Sequence, residues 1–352
     1  MSERTWADII TRLIKKEDLC ANDASWAMDA IMGGEASPAL IASFLTALSS
    51  KGETVGEVRS LADTMLQYAQ KVDLPSDVCD IVGTGGDRFC TVNISTISSL
   101  VIAASGVPVI KHGNRASSSS SGSADCLEAA GLYLGLTPEQ VADVFKKLNI
   151  TFIFANLFHP SMRFVAPTRK ELGIATVFNV LGPLTNPVKP QTSVIGVSSA
   201  HFAPIVAGVL AERGTKALVF RGDNGLDELS TVSPNHVWEV RNGRIHESLI
   251  DAVKDFGMNA ATIDDLRGGD PSFNARVLKN VLQGEKGAVR DAVLLNVAGA
   301  LIADGRIVPE DISSESLHAR FLWGINKAAS VIDSGDAFAL FERWIALSNE
   351  YK

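Results

Sequence analysis

The hydrophobic positions of the first 72 residues recur at helical spacing. "TWADIITRLI" sets Trp6, Ile9, Ile10, Leu13 and Ile14 on one stripe. "SPALIASFLTALSS" opens with Ser37 as an N-cap and Pro38 at the first helical position. In "TVGEVRSLADTMLQYA", Thr54 and Glu57 have capping-box spacing ahead of Val58, Leu61, Met65 and Leu66. After Leu74-Pro75 the pattern changes. Short apolar runs ("VCDIVG", "VPVIKHG", "ITFIFA", "SVIGV", "KALVFRG") read as buried strands, separated by helices at "STISSLVIAA" and near 138–149 and 203–213. Strands alternating with helices predict an α/β unit whose sheet is covered on both faces. "WEVRNGRIHESL" carries Asn242-Gly243 between strand-like arms and reads as a hairpin. "AVRDAVLLNVAGALIA" and 316–349 read as helices. The stretch 163–186 is helical before "NVLGPLTNP", whose glycine and prolines suggest a crossover between domains. The expected division is therefore 1–74 with about 163–186 as a small helical domain, and 75–162 with 187–352 as the α/β domain.

Composition narrows the function. With 46% apolar residues in 352, a large core can be buried. A net charge of −8 argues against nucleic-acid binding, which needs a basic face. No apolar run is long enough to span a membrane. No basic segment leads into an apolar signal region, so secretion is not expected. Cys20, Cys79, Cys90 and Cys126 form no CxxC pair and read as reduced thiols of a cytoplasmic protein.

Three loops carry the candidate chemistry. "DIVGTGGDRFCTVNIST" places glycines and an aspartate between a strand and a helix start, where backbone amides can approach an anion. It matches neither the dinucleotide fingerprint nor the P-loop, and "GTGG" alone fits a tight turn equally well. Asn93, Ser95 and Thr96 add side chains that reach a phosphate, a hydrated metal, or merely the helix end. "KHGNRASSSSSGSADCLEAAG" repeats the strand, polar loop and helix layout. Lys111 and Arg115 supply charge; His112, Asn114 and serines such as Ser118 supply further polar groups around Gly113. A flexible linker there would split the core, so the loop reads as an anion cradle. "DNGLDELS" puts three acids in six residues at a strand end, a pattern for Mg²⁺ or for a solvated turn. Arg169 in "APTRKELG" is either a surface arginine or a fork for a carboxylate. His159 and His112 are the histidines in promising contexts; no Ser-His-Asp pattern is present, and no residue is assigned as acid or base.

With "GTGGD", "NIST", "KHGNR..SS..GSAD", "HPSMR", "APTRKELG", "FNVLGPLTNP" and "GLDELS" in order, nearly the whole chain resembles the anthranilate phosphoribosyltransferase family. The resemblance implies a small helical domain joined to a larger α/β domain of the nucleoside phosphorylase and phosphoribosyltransferase type, with a central mixed, mostly parallel sheet. It implies a homodimer through the helical domain. The implied reaction joins anthranilate to 5-phosphoribosyl-1-pyrophosphate (PRPP) with Mg²⁺. Carried over by motif, Gly83, Gly86, Asp87, Thr91, Asn93, Ser95, Thr96, Lys111, Ser119 and Ser123 would bind PRPP. His112, Gly113, Asn114, Arg115 and Ser118 belong to the same cradle. Ser95, Asp227 and Glu228 would hold the metal; Gly83, Asn114 and Arg169 would contact anthranilate. Arg88-Phe89-Cys90 and the run of five serines depart from the pattern without removing a motif residue. A pyrimidine-nucleoside phosphorylase is the competing enzyme; the acidic pair argues against it. A catalytically inactive homologue would have lost loop residues that are all present here.

Overall fold

A computed structural model describes residues 4–116 and 120–352. The chain divides into two compact units, Met1–Lys71 with Ala155–Pro187 and Val72–Phe154 with Val188–Lys352. The return to the helical unit thus begins at Ala155, eight residues before the expected 163, because "ANLF" leaves the strand directly into a four-residue helix.

The helical unit is built on Trp6–Ile14, Ala21–Met32, Pro38–Lys51 and Val55–Gln67, followed later by Ala166–Leu172 and Phe178–Leu184. Its caps follow from the sequence. Ser37 accepts from Leu40 N–H, and Thr54 and Glu57 form the reciprocal capping box. Glu57 does more than cap: its buried carboxylate also accepts from Leu19 N–H at 2.8 Å and pairs with Lys51 at 2.9 Å, tying three elements together. Trp6 packs against Trp26 and Phe44, with ring centroids 5.1 and 5.9 Å away. Of the stripe expected in the first helix, Ile9 and Leu13 are buried, but Ile14 is 68% exposed. It lies about 100° around the helix from Leu13.

The second unit carries one seven-stranded sheet: β1 (Cys79–Gly83), β2 (Val109–Gly113), β3 (Ile150–Phe154), β4 (Thr192–Gly196), β5 (Lys216–Gly222), β6 (Asn235–Arg241) and β7 (Arg244–Ile250). The order is β3-β2-β1-β4-β5-β6-β7, parallel through β5 and antiparallel at β6 and β7. Asn242 (φ 51°) and Gly243 (φ 70°) make the tight turn between the last two strands. The connections β1→β2→β3 travel one way across the sheet and β4→β5 the other. Right-handed crossovers therefore put helices Ile94–Ala104 and Pro138–Leu148 on one face and Phe202–Glu212 on the other. Helix Ala288–Asp304 packs against Ile94–Ala104 and is itself covered by Leu317–Asp333. The reversal of direction falls between β1 and β4, which opens a crevice at their carboxyl ends, where Gly83 pairs with Gly196.

No helix among the described residues is long and apolar enough to cross a membrane. All four cysteines are free thiols.

Candidate active site

The crevice is closed by the turn after β5. Asp227 lies against the carboxyl ends of β1 and β4 so tightly that only glycine fits opposite. A Cβ on Gly196 would sit 1.7 Å from the Asp227 carbonyl oxygen, and one on Gly83 would sit 2.4 Å from its Oδ2. These glycines admit the acidic turn to the switch point. Asn296, fully buried in helix Ala288–Asp304, holds the turn from below. Its amide nitrogen donates to Leu229 C=O at 2.8 Å, and its oxygen accepts from Leu229 N–H at 3.4 Å. A lone asparagine inside "VLLNVAGAL" is the available sequence signal for this role.

The loop after β1 curls over the acidic turn. Gly85, Gly86, Arg88 and Cys90 all have positive φ, and Gly85 N–H donates to Asp227 Oδ2 at 2.6 Å. Asp87 faces Asp227. One oxygen of Asp87 accepts from Phe89 N–H, and Oδ2 is buried without a donor. Burial and the neighbouring Asp87 raise the Asp227 carboxyl to about 8. Glu228 is pushed well up by burial and by Asp227, against the opposing pull of Lys111 and of a hydrogen bond from Ser95 N–H. Lys111 is buried, with its Nζ donating to Ile81 C=O at 2.7 Å and Ser95 Oγ at 3.2 Å. Three carboxylates thus share one low-dielectric corner with a single buried lysine. Such an arrangement is relieved by a divalent cation. No three His, Cys, Asp or Glu side chains among the described residues are grouped to hold a metal ion, so a cation here would draw further oxygens from hydroxyls, water or a ligand, the usual situation for Mg²⁺ between carboxylates and phosphates.

The third acid expected in this turn is absent from the cluster. Asp223 is drawn instead to His236, 2.6 Å away.

Asn93 anchors the loop to its surroundings. Its Nδ2 donates to Ser121 C=O at 3.0 Å, and its Oδ1 accepts from Asn274 Nδ2 at 2.8 Å. Thr96 is buried, its hydroxyl without a partner. Thr91 pairs in a bridge with Arg267, while Gly268 N–H reaches Cys90 C=O and Val92 N–H reaches Leu266 C=O. Residues 266–268 and Asn274 therefore hold the loop's outer strand, a contribution the sequence did not reveal. Thr91 and Arg267 are far apart in the chain, and the 266–268 segment carries no recognisable motif of its own.

The loop after β2 is pinned by Asp125, whose Oδ2 accepts from Ala116 N–H at 2.8 Å and Gly122 N–H at 3.0 Å. Ser123 Oγ and Ala124 N–H both donate to Asn114 C=O. A Cβ on Gly113 would meet Ser123 Oγ at 2.3 Å. His112 is buried and its backbone N–H donates to Asp80. Arg115 is engaged by Asp125 and Glu128 on the following helix and lies over the Phe154 ring, so its charge is already balanced. Ser118 and Ser119 lie outside the described residues.

In the helical unit, Arg169 lies 5.3 Å over the Phe178 ring. No carboxylate among the described residues, the neighbouring Glu171 included, lies within ion-pair distance of it. Burial alone lowers its pKa. His159 is buried and held at about 4, so it is neutral at pH 7.

Residues 75–338 match the family model "Glycosyl transferase family, a/b domain", and residues 7–69 match "Glycosyl transferase family, helical bundle domain". An anthranilate phosphoribosyltransferase of Arthrobacter sp. (strain FB24) is 52% identical over 345 residues, covering 98% of this chain and 96% of that one. The chain belongs to the anthranilate phosphoribosyltransferase family. Within the family, the crystal structure of the Thermus thermophilus enzyme superposes with a TM-score of 0.87 at 40% identity, covering 97% of this chain and 99% of that one. The Saccharomyces cerevisiae enzyme in complex with PRPP and Mg superposes with a TM-score of 0.87 at 29% identity, covering 99% of each chain.

Proposed function

We infer that this chain transfers the phosphoribosyl group of PRPP to the amine of anthranilate, releasing pyrophosphate. The observation that carries the reading is the buried acidic turn at the β1/β4 switch point, in a chain of this family. Ser95, Asp227 and Glu228 are the residues we assign to Mg²⁺, which when bound to pyrophosphate oxygens would neutralise charge on the leaving group. The glycine-rich loop residues Gly83, Gly86, Asp87, Thr91, Asn93 and Thr96 then line the phosphate path, and Lys111 offsets the acidic corner from behind. His112, Gly113, Asn114, Arg115, Ser118, Ser119 and Ser123 belong to the second loop of the same donor site. Of these, Arg115 would have to leave its carboxylate partners to meet a phosphate.

The C–O bond to pyrophosphate breaks as a C–N bond forms at the ribose anomeric carbon, and the surplus amine proton passes to solvent. The aromatic amine is neutral at pH 7, so no strong base is required, and neither His112 nor His159 is asked to act as one. Holding the amine in line with the anomeric carbon supplies part of the barrier reduction, up to roughly 7–11 kcal/mol for ideal positioning. Gly83 and Asn114 are assigned to anthranilate. Arg169, whose guanidinium meets the Phe178 ring and no carboxylate among the described residues, is assigned to the acceptor's carboxylate group.

The exposed Ile14, Leu157 and Ile174 give the helical unit apolar surface in need of a partner, which supports a homodimer through it. Light scattering should then return twice 37.4 kDa at micromolar concentration; the mass of one chain would reject the dimer. The four free thiols suit a reducing cytoplasm.

The reaction is tested by mixing the protein with PRPP, Mg²⁺ and anthranilate and following anthranilate fluorescence. Loss that requires all three components is expected. Unchanged fluorescence, together with phosphorolysis of a pyrimidine nucleoside by inorganic phosphate, would replace this reading with the phosphorylase one.

A further inference from the structure

At the opposite edge of the sheet from the crevice, a cleft of about 340 Å³ opens where β5 begins and β6 ends. Lys216 and Arg241 lie one step beyond the Ala217–Val240 pair, at the amino edge of the parallel strands. The floor comes from the end of helix Ala288–Asp304 and from Arg320 of helix Leu317–Asp333.

The lining is unbalanced in charge for a chain of net charge −8. Four cations (Lys216, Arg241, Arg306 and Arg320) meet two carboxylates, Glu239 and Asp304. Those carboxylates are already committed. Glu239 takes both terminal nitrogens of Arg320, at 2.5 and 2.8 Å, in a buried bidentate pair. Asp304 takes Arg306, which also reaches Asp77. Lys216 donates only to the Asp304 carbonyl, and Arg241 only to the Ser313 hydroxyl at 3.4 Å. Neither has a carboxylate within ion-pair distance among the described residues. In addition, Arg320 is only 7% exposed, and its buried Nε–H has no hydrogen-bond partner. An unused donor on a buried guanidinium is costly unless something accepts from it.

We propose that this cleft is a binding site for a small dianion, of the phosphate or dicarboxylate class, at the amino edge of the sheet and separate from the catalytic crevice. Lys216 and Arg241 supply the charge, Ser313 a neutral donor, and Arg320 Nε–H the buried anchor. The apolar side chains of Val240, Ile302 and Val308 leave room for a short carbon body beside the anionic group. The volume lies at the small end of ligand sites.

The experiment is thermal denaturation of the full chain in inorganic phosphate, in malonate, and in chloride at matched ionic strength. At ten times the dissociation constant, linkage gives a rise of roughly 2–4 °C. A rise in phosphate or malonate above the chloride control is expected, and the larger of the two identifies the anion class. Lys216→Ala with Arg241→Ala should remove the part of it that comes from the cleft. These residues are exposed, so folding is retained. A control variant removing two cations outside the cleft, Arg244→Ala with Lys254→Ala, should keep it. Phosphate also suits the catalytic crevice, but binding there is insensitive to Lys216 and Arg241. No rise above chloride in either anion, or a rise that the Lys216/Arg241 variant keeps in full, overturns the proposal.

Discussion

Replacing Arg169 by alanine separates a substrate-binding role from a structural one. The guanidinium has no carboxylate partner among the described residues, and its visible contact is the Phe178 ring at 5.3 Å. Losing that contact costs about 0.5–1 kcal/mol, and release of a partly desolvated charge offsets some of it. The free protein should therefore change in stability by no more than about 1 kcal/mol. A carboxylate forked by Arg169 would lose charge-assisted hydrogen bonds worth roughly 1.5–3 kcal/mol, a rise in the anthranilate KM of about 10- to 150-fold. The PRPP KM should stay within about a factor of two. Arg169→Lys should recover only part of the loss, because an ammonium cannot present two parallel donors. Both KM values and the Tm are measured on one preparation. Equal rises in the two KM values, or a stability loss beyond about 3 kcal/mol, would refute the assignment.

Two further outcomes follow from buried polar groups. Asn296→Ala leaves Leu229 N–H and C=O unpaired in the core. It should cost about 2–4 kcal/mol by thermal denaturation and raise the PRPP KM more than the anthranilate KM, since it loosens the acidic turn. His159 is held at about 4, below its ordinary 6.5, by burial. The unfolded chain binds the extra proton first, so the stability from neutral His159 is present above pH 6.5 and is lost as pH falls from 6.5 toward 4. The slope of Tm against pH in that window should flatten in His159→Asn; an unchanged slope would assign the acid sensitivity elsewhere.

The strands and their loops were legible because each short apolar run ends in glycine or polar residues, and because period-3.6 stripes give way sharply after Pro75. The glycines of "GTGGD" were readable as a close-approach loop, but not that the approaching group is Asp227, which arrives from the far side of the switch point. Spacing alone made Asp223 equivalent to Asp227 and Glu228; only the fold, by bringing β6 and His236 beside Asp223, separates them. Arg115 read as a free cation because its partners lie one helix further on, although Asp125 and Glu128 do share a helical face. Asn274 and the 266–268 segment were invisible for a simpler reason: backbone bridges between distant segments leave no trace in residue type.

The most direct test of the account is a Mg²⁺ titration of anthranilate consumption by the native protein and by the Asp227→Asn, Glu228→Gln double variant. The amides keep the shape of the turn and remove both carboxylates from the corner they share with Asp87. The native protein should show saturable, Mg²⁺-dependent turnover. The double variant should lose at least about 100-fold, roughly 2.7 kcal/mol of transition-state stabilisation, and extra Mg²⁺ should not restore it, while its folded state persists. Unchanged turnover with the same Mg²⁺ dependence would contradict the claim that the acidic turn at the switch point is the catalytic metal and pyrophosphate site.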